Sequence, residues 1–191
     1  MGFAIAERLA SLGAKVFLVA GPVAIQCKNL NIVRIDVVSA TEMHTQCLNY
    51  FGDCDGAIMV AAVADFAPVT IDNQKIKRTS SSYFLELRPN PDLAASLGKI
   101  KRKDQVLVGF ALETNDEEQN ALLKLQKKNL DFIVLNSLND SGSGFQHDTN
   151  KIKILEKSGA VFTYDLKPKT EVAIDIVNKL IEIEDSISEL S

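Results

Sequence analysis

The segment Asp55-Gly-Ala-Ile-Met-Val-Ala-Ala62 carries no polar side chain after its first residue. Continuous apolar sequence is typical of a strand in a parallel sheet, because helices cover both faces of such a sheet. The longest apolar run, Ala57–Ala64, has eight residues, whereas a membrane-spanning helix needs about 20. The segment therefore predicts a fully buried strand in an α/β fold and argues against a membrane protein.

On either side of this segment, short apolar runs alternate with helical patterns. Further strands are predicted at Lys15–Ala20, Ile32–Asp36, Tyr83–Leu87, Gln105–Phe110 and Asp131–Leu135, with a hairpin from Ile152–Leu155 to Val161–Tyr164. Helices are predicted at Gly2–Leu12, after the capping box Ser39-x-x-Glu42 to about Tyr50, from about Pro91, from Asn115 to about Asn129, and from Pro168 to about Ile183. This alternation predicts a three-layer, Rossmann-like α/β fold with a mainly parallel sheet and a β-hairpin near the C-terminus.

The first predicted element is a helix with no strand and no capping residue before it. Sheets of this class normally open with a strand and a loop that presents phosphate to the N-terminus of the first helix. Met1-Gly2-Phe3 has the character of a helix interior. We therefore expect that an N-terminal strand and its glycine-rich loop are missing. We expect one domain over residues 1–185 and a frayed tail at 186–191.

Composition limits the classes of function. The length of 191 residues suits one domain, and 46% hydrophobic with 24% charged residues is typical of a soluble protein. The net charge of −4 argues against a nucleic-acid partner. Three cysteines without a CxxC pair indicate free thiols and favour a reducing cytoplasm. His44 and His147 are too far apart in sequence to suggest a metal cluster.

The middle of the chain is locally basic, with eight basic residues against two acidic ones between Lys75 and Lys103. Such a segment suits a phosphorylated small molecule, although the spacing alone favours a solvated basic surface. Asp65 follows a predicted strand end, where a carboxylate holds a ribose hydroxyl or a cation. Lys124 and Lys128 share one helix face, either to bind phosphate or to complement the helix dipole. Phe110 suits base stacking or the core.

Taken in order, several segments resemble the bacterial CTP-dependent phosphopantothenoylcysteine synthetase family. The segments are Gly2–Glu7, Val19–Val23, Ala61–Asp65, Lys75–Arg78, Asn90–Leu93, Val108–Thr114, Lys128–Asp131 and Gly144-Phe145-x-x-Asp148-x-Asn150. Each motif alone is weak, but the ordered set runs from Gly2 to about Leu180 and is specific. The family's Asn-x-Ser-Ser-Gly-Lys segment has no counterpart here, so we expect this chain to be too short to complete the reaction.

The resemblance implies a ligase domain of coenzyme A biosynthesis. Its substrates would be phosphopantothenate, cysteine and CTP, with Mg²⁺ or Mn²⁺, and the intermediate would be an acyl-cytidylate. The resemblance also implies a homodimer and a fused or associated decarboxylase domain, and the apolar stretch around Val60–Phe66 is the expected contribution to the dimer interface. Lys75 is the implied catalytic residue, and the implied CTP-binding residues are Met59, Val60, Ala61, Asp65, Lys75, Asn90, Pro91, Asp92, Leu93, Phe110, Lys124 and Lys128. No metal ligands are assigned.

Two other functions remain open on the sequence. The α/β pattern alone also suits a nicotinamide-dependent Rossmann oxidoreductase, although the chain has no complete GxGxxG fingerprint. A non-catalytic nucleotide-binding or dimerisation module is the third interpretation.

Overall fold

The computed structural model of the protein describes residues 1–72, 74–78, 82–113, 116–137 and 148–189. The helices of this part of the chain are α1 (Gly2–Ser11), α2 (Ala40–Phe51), α3 (Leu93–Ile100), α4 (Glu117–Lys127) and α5 (Lys169–Glu189). The strands are β1 (Val16–Ala20), β2 (Ile32–Asp36), β3 (Gly56–Met59), β4 (Phe66–Pro68), β5 (Leu87–Pro89), β6 (Val106–Glu113), β7 (Phe132–Ser137), β8 (Thr149–Asn150), β9 (Ile152–Glu156), β10 (Val161–Thr163) and β11 (Lys167–Pro168).

The central sheet contains five strands in the order β10-β9-β7-β6-β3. β3, β6 and β7 are parallel, whereas β9 and β10 form an antiparallel hairpin at one edge. β1 and β2 form a separate parallel pair, and the pairs β4–β5 and β8–β11 are short antiparallel ladders. The α/β class, the mainly parallel sheet and the C-terminal hairpin are as the sequence predicts.

Two apolar clusters cover opposite faces of the sheet. Alternate residues of β7 divide between them, with Phe132 and Val134 in the cluster that contains α1 and α5 residues. Ile133 and Leu135 belong to the cluster that contains residues of α2, α3 and α4. Because strand side chains alternate between faces, this division produces the three layers that the sequence predicts.

Local sequence signals explain several element ends. Ser39 caps α2 by accepting from the Glu42 N–H at 3.2 Å, and Glu42 Oε2 accepts from the Val38 N–H at 2.8 Å. Gly13 follows α1 at φ +94°, and Gly159 turns the β9–β10 hairpin at φ +91°. Glycine adopts this backbone region without a Cβ clash, so both turns form where the sequence predicts them.

The predicted strand Asp55–Ala62 is shorter and less buried than expected. β3 spans only Gly56–Met59, and all its residues are half-buried. By contrast, Val106, Leu107 and Val108 of β6 are at most 2% exposed. The physical reason is that β3 is an edge strand of the described sheet, because it pairs with β6 on one side alone.

Three other element predictions need correction. The strand expected at Tyr83–Leu87 lies at Leu87–Pro89, where Phe66 pairs with Pro89. The helix expected from Pro91 begins at Leu93 after the cap Asp92. Asn115, the expected cap of α4, lies outside the described residues, and Asp116 occupies the N-cap position.

The last helix continues past its expected end near Ile183 to Glu189. Ile183 and Ile187 are four residues apart on one helix face, and both pack against the cluster of α1 and α5. Residues 186–189 of the expected tail are therefore helical. None of the helices in the described part of the chain is long and apolar enough to cross a membrane.

Candidate functional site

A large cavity opens at the carboxyl ends of the parallel strands. Its volume is about 870 Å³, and its mouth is lined by the loop after β3, the start of α3, the end of β6 and the last turn of α4. Ligands of open α/β sheets bind at this edge, because the loops and helix N-termini there present polar groups.

Eleven of the twelve sequence-predicted site residues line this cavity. They are Met59, Val60, Ala61, Asp65, Asn90, Pro91, Asp92, Leu93, Phe110, Lys124 and Lys128. Lys75, the predicted catalytic residue, does not line it and is exposed. The fold thus brings together segments up to 69 positions apart in sequence, from Met59 to Lys128.

Asn90 fixes the loop that carries Asp65. Its Nδ2 donates to the Ala64 carbonyl at 2.8 Å, and its backbone N–H donates to the Asp65 carbonyl at 2.8 Å. The neighbouring β4–β5 ladder continues this pairing in the register Phe66 to Pro89. The Asn90 amide therefore positions Asp65 at the cavity mouth.

Asp92 joins two helices at the mouth. Its Oδ1 accepts from the Ala95 N–H at 3.0 Å and so caps α3, while Oδ2 lies 3.1 Å from Lys128 Nζ. Partial burial acts to raise the pKa of Asp92, but the Ala95 N–H and the Lys128 ammonium outweigh it and hold that pKa below its ordinary value. Asp92 is therefore an anionic cap that also orients Lys128.

The close approach of α3 to the end of α4 requires a glycine. A Cβ built on Gly98 would lie 2.0 Å from the Lys128 carbonyl oxygen. Asn129, at φ +53°, donates from Nδ2 to the Gly98 carbonyl at 3.0 Å. These contacts hold the end of α4 close to α3 and so fix the position of Lys128 relative to Asp92.

The residues after Lys128 have structural roles. Asp131 forms an ion pair with Lys101, at 2.6 Å from Oδ1 to Nζ, and its Oδ2 accepts from the Leu107 N–H at 2.6 Å. The side chains of Lys101 and Asp131 are 8% and 15% exposed. Of the motif Lys128–Asp131, the charged residue that reaches the cavity is Lys128.

Apolar residues line the cavity behind the charged mouth. Phe110 is half-buried and packs, with Val60, against the cluster of α1 and α5. Gly2 lies beside Val60, whose Cβ would be 3.6 Å from a Cβ added at Gly2. Met59 packs on the opposite cluster. An apolar wall that includes one aromatic ring suits the flat face of a nucleobase.

Two asparagines add polar groups that the sequence did not assign to the site, although Asn150 ends the motif that begins at Gly144. The Oδ1 atoms of Asn136 and Asn150 are buried without a hydrogen-bond partner in the described structure, and both residues line the cavity. Asn150 is only 4% exposed. Buried acceptors are normally satisfied, so both atoms are available to a donor on a ligand. The signal in the sequence was an asparagine directly after the apolar run 132–135.

The described residues contain no group of three or more His, Cys, Asp or Glu side chains that would hold a metal ion. A Mg²⁺ ion bound with a nucleotide needs only one or two protein carboxylates, because phosphate oxygens and water complete its shell. Asp65 is a carboxylate of this kind at the mouth, whereas Asp92 is already paired with Lys128.

Comparisons with known proteins show sequence relatives of about twice this length. The chain is 52% identical over 183 residues to a cysteine/cysteine sulfinic acid decarboxylase of an unknown prokaryotic organism, covering 96% of this chain and 51% of that protein. It is 38% identical over 191 residues to the coenzyme A biosynthesis bifunctional protein CoaBC of Bacillus subtilis (strain 168), covering 100% of this chain and 47% of that protein.

A solved structure agrees with the fold. The crystal structure of the C-terminal domain of a CoaBC protein superposes with a TM-score of 0.79 at 33% identity, covering 96% of this chain and 82% of that one. The family model described as the DNA/pantothenate metabolism flavoprotein C-terminal domain matches residues 1–183. The chain therefore belongs to the DNA/pantothenate metabolism flavoprotein C-terminal domain family.

Proposed function

We propose that this chain is the ligase domain of coenzyme A biosynthesis that joins phosphopantothenate to cysteine at the expense of CTP. The observation that carries the proposal is that one cavity is lined by eleven of the residues that the resemblance implies for CTP binding. The CoaBC relatives, which are named for coenzyme A biosynthesis, support the same pathway. The chain spans about half their length, so the proposal concerns this domain within a complete enzyme.

The charged mouth suits a triphosphate. Lys124 and Lys128 line it from one face of α4, one helical turn apart. Two ammonium groups at this spacing neutralise phosphate oxygens as movable point charges. Phe110 offers a ring face to the base, and Asp65 offers a carboxylate to a ribose hydroxyl or to a cation. CTP would thus lie across the carboxyl ends of β3 and β6.

The proposed reaction has two steps. The phosphopantothenate carboxylate attacks the α-phosphorus of CTP, forming a P–O bond and releasing pyrophosphate. The cysteine amine then attacks the acyl carbon, the C–O bond to CMP breaks, and the amine loses a proton as the amide forms. Bound Mg²⁺ would supply charge neutralisation on the phosphates, and Asp65 is the residue whose carboxylate would help to hold it.

Lys75 is proposed to act from outside the cavity wall. Its side chain is exposed, it lies between β4 and β5 in sequence, and it is not among the residues that line the cavity. A lysine side chain is long and flexible, and its segment precedes the β5 strand that leads to Asn90. We propose that the Lys75 ammonium reaches the α-phosphate of bound CTP.

An exposed apolar surface supports the proposed homodimer. Phe66 is 57% exposed, Phe84 is 91% exposed, and Leu87 is 51% exposed. Phe66 is in β4, Leu87 is in β5, and Phe84 lies three residues before β5. Large apolar side chains that are exposed in this way are common at protein interfaces, and they include Phe66 of the expected interface stretch. The fused decarboxylase domain and the cytoplasmic location are part of the same proposal.

The experiment that tests the function is a product assay with the complete protein. Phosphopantothenate, cysteine, CTP and Mg²⁺ are mixed, and CMP, pyrophosphate and the amide are measured together. Lys75→Gln should reduce amide formation by at least about 10²-fold, as expected for the loss of a transition-state charge contact. Lys77→Gln is the matched control on the same segment. If Lys75→Gln formed the amide as fast as Lys77→Gln, Lys75 would have no catalytic role.

A second candidate function comes from the relative named as a cysteine/cysteine sulfinic acid decarboxylase. Its 52% identity extends over nearly the whole chain. On this proposal, the domain would belong to a protein that releases CO₂ from cysteine or cysteine sulfinate. CO₂ release from either substrate without CTP, together with no CMP formation, would favour the decarboxylase over the ligase.

A further inference from the structure

Three polar residues outside the CTP-binding set line the large cavity from β7, β8 and α5. They are Asn136, Asn150 and Lys169. Asn136 is opposite Ile152 in the β7–β9 register, and Asn150 precedes Ile152 by two residues. Asn150 in turn is opposite Lys167, two residues before Lys169. These two ladders bring the three residues to the same end of the sheet, and we call them the β7–α5 corner.

The β7–α5 corner lies on one face of the sheet. Val134, two residues before Asn136, and Ile152, two residues after Asn150, both belong to the cluster of α1 and α5. Because strand side chains two residues apart share a face, the two asparagines are on the side that α5 covers. The mouth lysines come from α4, which packs in the cluster on the opposite face. The corner is therefore distinct from the charged mouth, although both belong to one cavity.

The two asparagines present acceptors that lack donors. The Oδ1 atoms of Asn136 and Asn150 are buried without a hydrogen-bond partner in the described structure, and Asn150 is only 4% exposed. A buried polar atom left unpaired costs about 1–3 kcal/mol. A ligand that brings two N–H or O–H donors to this corner would recover that cost.

Lys169 adds a positive charge to the same corner. Its backbone N–H donates to the Asp148 carbonyl at 2.9 Å, which fixes the start of α5. The neighbouring Lys167 is paired with Asp175 at 2.6 Å, whereas Lys169 has no carboxylate partner among the described residues. The positive end of the α5 dipole lies at the same place. The corner therefore suits an anionic group on a ligand that also carries hydrogen-bond donors.

We propose that Asn136, Asn150 and Lys169 form the subsite for phosphopantothenate, beside the nucleotide mouth. This inference rests on the proposed function and assigns three residues to one of its substrates. Phosphopantothenate carries, in order, a phosphate, a dimethyl carbon, a hydroxyl, an amide and a carboxylate. The Lys169 ammonium binds the phosphate. The two Oδ1 atoms accept from the hydroxyl and from the amide N–H, so two unpaired acceptors meet two donors.

The position of the corner suits the proposed reaction. Leu112 of β6 lies opposite Asn136 in the β6–β7 register and lines the same cavity. Its side chain offers an apolar contact to the dimethyl carbon. CTP is proposed to lie across β3 and β6, and β7 is the next strand of the sheet. With its phosphate at Lys169, the substrate can direct the carboxylate at its other end towards the nucleotide.

The test compares phosphopantothenate with pantothenate, which differs from it by the phosphate alone. Their dissociation constants are measured by calorimetry on the complete protein, without CTP or cysteine. The variants are Lys169→Gln, Lys169→Arg, Asn136→Leu and Asn150→Leu. Lys99→Gln and Asn178→Leu are the matched controls, because both residues are exposed and neither lines the cavity.

Lys169→Gln should reduce the preference for phosphopantothenate over pantothenate about tenfold, because it removes the phosphate contact. Lys169→Arg should retain most of that preference, since the charge is kept. Each asparagine variant should weaken both ligands equally, by about fivefold, because the lost acceptor serves groups that the two ligands share. Both controls should bind like wild type.

An unchanged preference in Lys169→Gln would overturn the proposal, and this result does not depend on whether the asparagine variants fold. Failure of wild type to bind either ligand would also overturn it. Asparagine variants that bind both ligands normally but bind cysteine or CTP more weakly would do the same, because the corner would then serve another substrate.

The product assay separates this proposal from the proposed function. If wild type forms the amide and Lys169→Gln keeps its ligand preference, the ligase function stands and the subsite is wrong. If the expected binding pattern is found but CTP is not converted to CMP, the subsite stands and the ligase function is wrong.

Discussion

The Nζ atom of Lys128 lies 3.1 Å from Oδ2 of Asp92, which joins the C-terminal end of α4 to the N-terminal cap of α3. The Asp92 side chain is 50% exposed and that of Lys128 is 25% exposed. Ion pairs with this much solvent contact contribute little stability. The pair matters more for the direction in which Lys128 points.

Replacement of Asp92 separates its two contacts. Asn caps a helix about as well as Asp, so Asp92→Asn should lower the free energy of unfolding by less than about 1 kcal/mol through the lost ion pair. Asp92→Ala also loses the cap and should cost about 1 kcal/mol more. Urea titrations of the three proteins measure both differences. A larger loss in Asp92→Asn than in Asp92→Ala would contradict the assignment of the cap.

The lowered pKa of Asp92 predicts a dependence of stability on pH. Because its folded-state pKa lies below its ordinary value, the ionised carboxyl stabilises the fold at pH values above that ordinary pKa. The contribution is lost as the pH falls through the folded-state value. Wild type should therefore lose more stability on acidification than Asp92→Asn. Denaturant titrations from pH 6 downward test this, and parallel curves would show that Asp92 is not a source of the pH dependence.

Removal of a mouth lysine should weaken CTP binding. Lys128→Ala and Lys124→Ala are each expected to raise the dissociation constant of Mg²⁺–CTP about tenfold at low salt, and the difference should shrink as salt is added. Lys127→Ala is the matched control, because Lys127 is exposed on the same helix and does not line the cavity. Calorimetric titrations measure the constants. Equal losses in all three variants would indicate a general charge effect.

The buried pair of Lys101 and Asp131 should dominate stability near the site. Asp131→Asn leaves the Lys101 ammonium buried without a counter-ion, so we expect a loss of about 3–5 kcal/mol in unfolding free energy. The double variant Lys101→Met with Asp131→Asn removes that unpaired charge and should recover part of the loss. A double-mutant cycle by denaturant unfolding gives the coupling. Additive losses would show that the two side chains act separately.

Asn150 should affect ligand binding more than stability. Its buried Oδ1 has no partner in the described structure, so Asn150→Leu removes an unsatisfied acceptor and should leave the melting temperature unchanged or higher. We expect phosphopantothenate to bind more weakly, because its hydroxyl and amide groups lose a potential acceptor. Thermal unfolding and ligand titration are measured on the same sample. A large loss of stability with unchanged binding would assign Asn150 a structural role.

The sequence predicts the elements well where the signal is local. The capping box at Ser39, the turn at Gly159 and the hairpin from Ile152 depend on neighbouring residues, and the structure confirms all three. The length of β3 could not be predicted, because it depends on whether a neighbouring strand pairs with its free edge. The burial of that strand depends on the same long-range pairing.

For the candidate site, too, the sequence predicts which residues take part but not the long-range contacts between them. The motif order selected residues that the fold gathers at one cavity mouth, from Met59 to Lys128. The sequence could not show that Lys128 is paired with Asp92 or that the Asn90 amide is occupied by the Ala64 carbonyl. Those contacts depend on how close α3 approaches α4. The sequence did not assign Asn136 or Asn150 to the site, because an unsatisfied acceptor is visible only when its surroundings are known.

Gly98 has a consequence for the interpretation of genetic variation in this domain. It does not line the cavity, but any larger side chain there would collide with the Lys128 carbonyl. Accommodating a methyl group would push the end of α4 away from α3 and move Lys128 away from Asp92. A screen for loss of nucleotide binding should therefore recover Gly98→Ala together with Lys128 substitutions. A phenotype that resembles a ligand-contact defect would in that case arise from a packing contact between two helices.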